Sequence, residues 1–166
     1  GIVTTDNASA TAIQIVNATN ATLNMVNASA GALALGVNTK ELTGTVSQLD
    51  VNSTISAATL VGDAGVVTIN KANIDNLGQF TTSGALTLVE QGGDNTGLKY
   101  TGSVTTGGTT WIETTDGIQN LDTQTLNATG QAITLKGIAL SQQTASSIKS
   151  TTADLYGGAG DIDLFS

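Results

Sequence analysis

Along the chain, apolar residues come as short pairs split by one small or polar residue, and a cluster of turn formers follows each pair. Ala12-Ile13-Gln14-Ile15-Val16-Asn17-Ala18 is followed by Thr22-Leu23-Asn24-Met25-Val26-Asn27-Ala28, and a third copy runs from Ala32-Leu33-Ala34-Leu35 through Gly36 to Val37-Asn38. Ile13, Leu23 and Leu33 stand ten residues apart, and so do Ile15, Met25 and Leu35. Period-two alternation marks a half-buried strand. The decapeptides, over about residues 8–40, therefore predict strands that each end in a Val-Asn-Ala turn. A helix competes there because Ala, Leu and Met favour it, but the Asn, Thr, Val and Ile content weighs for strand.

The same apolar-x-apolar signature recurs at Leu49/Val51, Val67/Ile69, Leu86/Leu88, Leu98/Tyr100, Ile133/Leu135, Ile138/Leu140 and Ile162/Leu164. Turn clusters such as Gln91-Gly92-Gly93-Asp94-Asn95 and Thr106-Gly107-Gly108-Thr109 separate these runs. Steps of 18 and 19 residues between Leu49, Val67 and Leu86 match one coil of a right-handed parallel β-helix. The expectation is an all-β chain forming a single β-solenoid domain over residues 1–166. Roughly eight turns at ~4.8 Å each would make a rod of about 40 Å. The alternative is a β-sandwich, which needs two-residue hairpin turns between alternating runs. Only Asp116-Gly117 fits, and its flanks alternate poorly.

Composition narrows the picture. Hydrophobic residues make up 39% of the 166 but aromatics only 3%, so the core is built from small aliphatics, which suits a narrow, regular interior. Pro and Cys are both absent, which excludes disulfides and thiolate chemistry. Five lysines, no arginine and a net charge of −8 exclude a phosphate-neutralising surface, so no nucleic-acid partner is expected. No apolar run is long enough to predict membrane insertion as a helix. The chain opens on Gly1 rather than Met, which predicts a removed leader or a piece of a longer protein.

Three units share a local form: Ser83-Gly84-Ala85-Leu86-Thr87-Leu88, Thr129-Gly130-Gln131-Ala132-Ile133-Thr134-Leu135 and Ala159-Gly160-Asp161-Ile162-Asp163-Leu164. A small residue and Gly, then Ile/Leu-x-Leu, resembles the repeats of filamentous-haemagglutinin-type adhesins, the two-partner-secreted exoproteins of Gram-negative bacteria, and of autotransporter passenger domains. The resemblance covers about half the chain. It implies a long right-handed β-helix on the cell surface, secreted, and acting in adhesion or as a structural fibre. The implied partners are a host or neighbour-cell surface, or other copies of the chain in end-to-end or lateral filament assembly. Leu155-Tyr156-Gly157-Gly158-Ala159-Gly160-Asp161 is similar to the calcium-binding nonapeptide of RTX repeats. There the sixth position is an aspartate ligand. Ile162 stands in its place here, and only one copy is present, so a Gly-rich turn is the plainer reading and a calcium-dependent surface-layer module the alternative.

Candidate chemistry is sparse. Asn7, Asn17, Asn20, Asn27, Asn52 and Asn127 begin Asn-x-Ser/Thr triplets, which predict either glycosylation of a secreted surface or turn geometry. Without His or Cys most acid–base and nucleophile designs are unavailable. Asp116 with Asp122, or Glu90 with Asp94, are the carboxylate pairs a carbohydrate-acting β-helix enzyme would use. The expectation is nonetheless no catalytic site and no cofactor. Thr-x-Thr does not recur at coil spacing, so an ice-binding face is not predicted. The lone tryptophan, Trp111, marks either a carbohydrate contact or, more commonly, a packing residue.

Overall fold

The computed structural model describes residues 2–10, 12–37, 39, 41–92, 97–120, 123–158 and 162–164. Among them there is no helix. The first strands are β1 (Ile2–Thr4), β2 (Ile13–Ile15), β3 (Ala21–Leu23), β4 (Met25–Asn27), β5 (Ala32–Leu35) and β6 (Leu42–Gln48). A long bent strand, β7 (Thr54–Thr82), precedes β8 (Leu86–Glu90), β9 (Leu98–Tyr100), β10 (Val104–Thr106), β11 (Thr110–Thr114) and β12 (Ile118–Asn120). The series ends with β13 (Thr125–Ala128), β14 (Ala132–Lys136), β15 (Leu140–Gln142), β16 (Ser147–Lys149), β17 (Thr152–Tyr156) and β18 (Ile162–Leu164).

The pairings between these strands are parallel, each with a strand about one coil away in sequence. That pattern is a β-solenoid of about six turns, and it rules out both the antiparallel sandwich and the helix over the decapeptides. One face can be followed through the whole stack. Ala21, Val46, Val67, Leu86, Thr110, Ile133 and Ala153 lie one above another on β3, β6, β7, β8, β11, β14 and β17. Six strand spacings give a rod of roughly 29 Å, shorter than the sequence suggested, because excursions between strands lengthen several coils beyond twenty residues.

The interior is a set of aliphatic columns. Val26 lies over Ile55, Leu33 over Leu60, and Phe80, Val104 and Leu126 form a third column; all seven are buried. Each fully buried aliphatic contributes ~1.5–3 kcal/mol. The stacking also leaves every interior strand bonded on both edges. Corners repeat as well. Thr82 Oγ1 donates to the Gly84 carbonyl at 2.8 Å, and one coil on Thr106 Oγ1 donates to the Gly108 carbonyl at 3.1 Å. At another corner Gly36 adopts φ +77°, and a Cβ there would collide with the Asp63 carbonyl.

Ile13 pairs with Leu33, twenty residues on, whereas Leu23 pairs with Gln48 on a different face. A decapeptide therefore forms one side of a coil rather than a coil of its own. Leu49/Val51 is not a strand. Both residues lie in a turn and are 56% and 85% exposed. Asp50 Oδ1 accepts the amides of Asn52 and Ser53 at 2.8 and 3.1 Å, which curls the backbone out of the ladder. Of Ile138/Leu140, only Leu140 turns inward.

Candidate functional site

The outer side of the long face carries the most ordered surface chemistry. Between each pair of inward residues one side chain points out: Thr22, Ser47, Thr68, Thr87, Trp111, Thr134 and Asp154, in that order along the stack. Four consecutive hydroxyls thus form a line at ~4.8 Å spacing that leads to an indole ring. β-Branched Thr suits this place because its branch packs on the pleated surface while its hydroxyl reaches water. Two residues before Thr68 on the same outer side, Val66 is exposed and lies in register with exposed Thr45.

Trp111 is 41% exposed, so it is not the packing tryptophan that sequence statistics favour. Its position on the outward side of β11, between Thr87 and Thr134, gives it small neighbours above and below. Its Nε1 donates to Glu113 Oε2 at 3.2 Å, and Lys136 Nζ donates to Glu113 Oε1 at 2.6 Å from the next strand. Both carboxylate oxygens are therefore engaged, and the indole is held along the strand. The Lys136 bond, helped by that from Trp111, holds the Glu113 carboxyl below its usual range despite partial desolvation. Tyr156, 54% exposed, follows Lys136 in register on β17. Trp111 and Tyr156 stand two strands and two residues apart, roughly 12 Å by strand geometry.

A second surface feature is a groove of about 490 Å³ beside the 49–53 turn, lined by Gln48, Leu49, Val51, Asn70 and Lys71 among others. Gln48 is committed to the fold there. Its Oε1 accepts the amides of Asn70 and Lys71 at 2.6 and 2.7 Å, and its Nε2 donates to the Lys71 carbonyl at 2.8 Å.

The carboxylates proposed as pairs are only partly placed, because Asp94 and Asp122 lie outside the described residues. Glu90 is buried inside the coil rather than in a cleft, and it accepts Thr114 Oγ1 at 2.7 Å as well as the Gly92 amide. Asp116 is also buried. Its amide donates to Thr114 Oγ1 at 3.0 Å, and its Oδ2 has no hydrogen bond among the described residues. Among the described residues no three metal-binding side chains cluster. In the RTX-like segment Gly158 has φ +56°, while Ala159–Asp161 lie outside the described residues.

The asparagines are spread over the surface. Asn7, Asn17, Asn20, Asn27 and Asn52 are exposed and Asn127 is half-buried. Several shape the backbone. Asn7 and Asn27 accept the amides of Ser9 and Ser29 at 3.0 and 2.8 Å, Asn17 adopts φ +58°, and Asn20 accepts the Thr45 amide at 2.8 Å across coils.

The hydroxyl line was missed in the sequence, although a signal was present. Thr is the middle residue of the apolar-x-apolar units at 68, 87 and 134, and it stands between Ala21 and Leu23 at 22. Among the described residues no helix is long and apolar enough to cross a membrane. No protein-family model, no curated protein sequence and no solved structure matches the chain.

Proposed function

We propose that this chain is a rigid segment of an extracellular surface protein, an adhesive or fibre-forming β-solenoid that contacts its partner through its outer faces and carries no catalysis. The observation that supports this most is the long outer face, where a line of hydroxyls ends in a braced, exposed indole on a stack of coils. Such a surface is flat, uncharged along most of its length and fixed by the ladder beneath it, so binding orders few side chains. The partners in this reading are a host or neighbouring cell surface, or further copies stacked on the terminal coils. Among the described residues β1, β2 and β3 pair on one side only, and Val3, in the inward column under Val26, is 50% exposed. Glycosylation at the exposed asparagines belongs to the same reading, and intact-mass measurement of the native protein tests it.

Antibodies raised against the chain should label intact, unpermeabilised cells of its source, and chain-coated beads should adhere to target cells. Labelling only after permeabilisation would overturn the extracellular assignment. Asp116 Oδ2, buried and without a hydrogen bond among the described residues, favours a second reading, a calcium-dependent surface-layer module. A thermal melt with and without chelator tests it, and unchanged melting removes it.

A further inference from the structure

We propose that the outer face around Trp111 binds a neutral, β-linked polysaccharide laid along the solenoid axis. This inference deepens the adhesive reading by naming the ligand class, and it rests on that reading only for its biological setting.

Trp111 supplies the first part of the argument. An exposed indole held by Glu113 presents a fixed, electron-rich ring face. The axial C–H groups of a β-linked pyranose form a flat apolar surface that stacks on such a ring. Because Glu113 and the ladder already fix the ring, little side-chain entropy is lost on binding.

The hydroxyl line supplies the second. Thr87 and Thr68 precede Trp111 in its column and Thr134 follows it, so hydroxyls flank the stacking position along the axis. The repeat of an extended β-linked glycan spans about two strand spacings, ~10 Å, so sugar hydroxyls would meet the line in step. Tyr156, roughly 12 Å from Trp111 by strand geometry, offers a second ring at a distance that two or three sugar residues cover.

Charge selects against other ligands. The cation of the patch, Lys136, is already paired with Glu113, and Asp154 adds a negative charge to Trp111's own column. With the chain at −8, an anionic glycan or nucleic acid would be repelled. A protein partner would want an apolar centre around the tryptophan, whereas Thr87, Thr134 and Glu113 surround it here.

The chain has a single tryptophan, so its fluorescence reports on this face alone. Titration with cellohexaose, chitohexaose or xylohexaose should give a saturable emission change with at least one of them, and maltohexaose, which is α-linked and curved, should give at least tenfold weaker binding. Calorimetry should show at least a tenfold loss for Trp111→Ala and a several-fold loss for Tyr156→Ala, with circular dichroism and melting temperature unchanged. Glu113→Gln should weaken binding less than Trp111→Ala, as befits a positioning residue, and should broaden the tryptophan anisotropy decay. No saturable change with any neutral β-linked hexaose, equal binding to maltohexaose, or full binding by Trp111→Ala would each overturn the proposal. Adhesion of coated beads to cells, run in parallel, separates the two readings. Adhesion that survives Trp111→Ala, with no oligosaccharide bound, points to a protein receptor and removes only the glycan inference.

Discussion

At the residue scale, two side chains are out of balance with their surroundings. Tyr100 is buried on the inward side of β9, and its hydroxyl has no hydrogen bond among the described residues. Burial pushes its pKa far up, so the group stays neutral at any pH the fold survives. A buried hydroxyl without a partner costs ~1–3 kcal/mol, while removing it leaves the ring's packing intact. Tyr100→Phe should therefore keep or raise the urea midpoint, and a loss above ~1 kcal/mol would show that the hydroxyl is satisfied. Glu113 is the second case. Its carboxyl is held below the ordinary range by Lys136, so the pair contributes stability above the unfolded-state pKa of about 4.3 and loses it as pH falls through the lower folded value. Both partners are solvent-accessible, so the contribution is only ~0.2–1 kcal/mol. Lys136→Met should move the Glu113 titration midpoint, followed by carbon-detected NMR, back up toward the ordinary value. An unmoved midpoint would assign the shift to Trp111 instead.

At the element scale, Gln48 shows how one polar residue can occupy an aliphatic column. It pairs with Leu23, in the row continued by Ile69 and Leu88, yet its amide bonds the backbone of Asn70 and Lys71. Gln48→Leu would restore the column but remove the acceptor of both amides, of which the half-buried Lys71 amide is the costlier to leave unpaired, at about 1 kcal/mol. The substitution should destabilise the protein in chemical denaturation despite its added hydrophobicity. Faster hydrogen exchange at Asn70 and Lys71 would locate the cause, and unchanged stability would mean that water replaces Gln48 there. Gln48 also marks a limit of sequence reading. Val67/Ile69, Leu86/Leu88, Leu98/Tyr100 and Ile133/Leu135 were legible as inward pairs because each alternates across a polar residue, and all are buried. Leu49/Val51 has the same alternation but lies in a turn, since the Asp50 carboxylate satisfies the local amides and no neighbouring strand is needed. Alternation reports which residues share a side, and it cannot report whether a ladder partner exists. For the same reason the decapeptides were visible as strands but not as single faces of a coil. The Trp111–Glu113 contact joins residues on one strand, but the brace from Lys136 crosses to the next coil, and that link appears only once the register is known.

At the scale of the whole molecule, each coil touches only the coils above and below, so stability is close to a sum of coil and interface terms. Position along the stack should then decide what a cavity does. Leu88 is fully buried in the middle of its column, whereas Leu155, two strands beyond Ile112, is only partly buried near one end. Leu88→Ala should cost ~2–5 kcal/mol, as large cavities in tight cores do. Because it interrupts the stack, exchange should accelerate in the coils on both sides. Leu155→Ala should cost less and raise exchange only in β16, β17 and β18, leaving β3 to β8 as protected as before. Hydrogen exchange read by mass spectrometry resolves these patterns. If Leu155→Ala instead lowered protection uniformly along the rod, the coils would fold as one cooperative unit, and the nearest-neighbour account of this solenoid would fail. The distinction bears on the adhesive reading, because a rod that frays from its ends can lose terminal coils while the Trp111 face, on β11, stays assembled between β8 and β14.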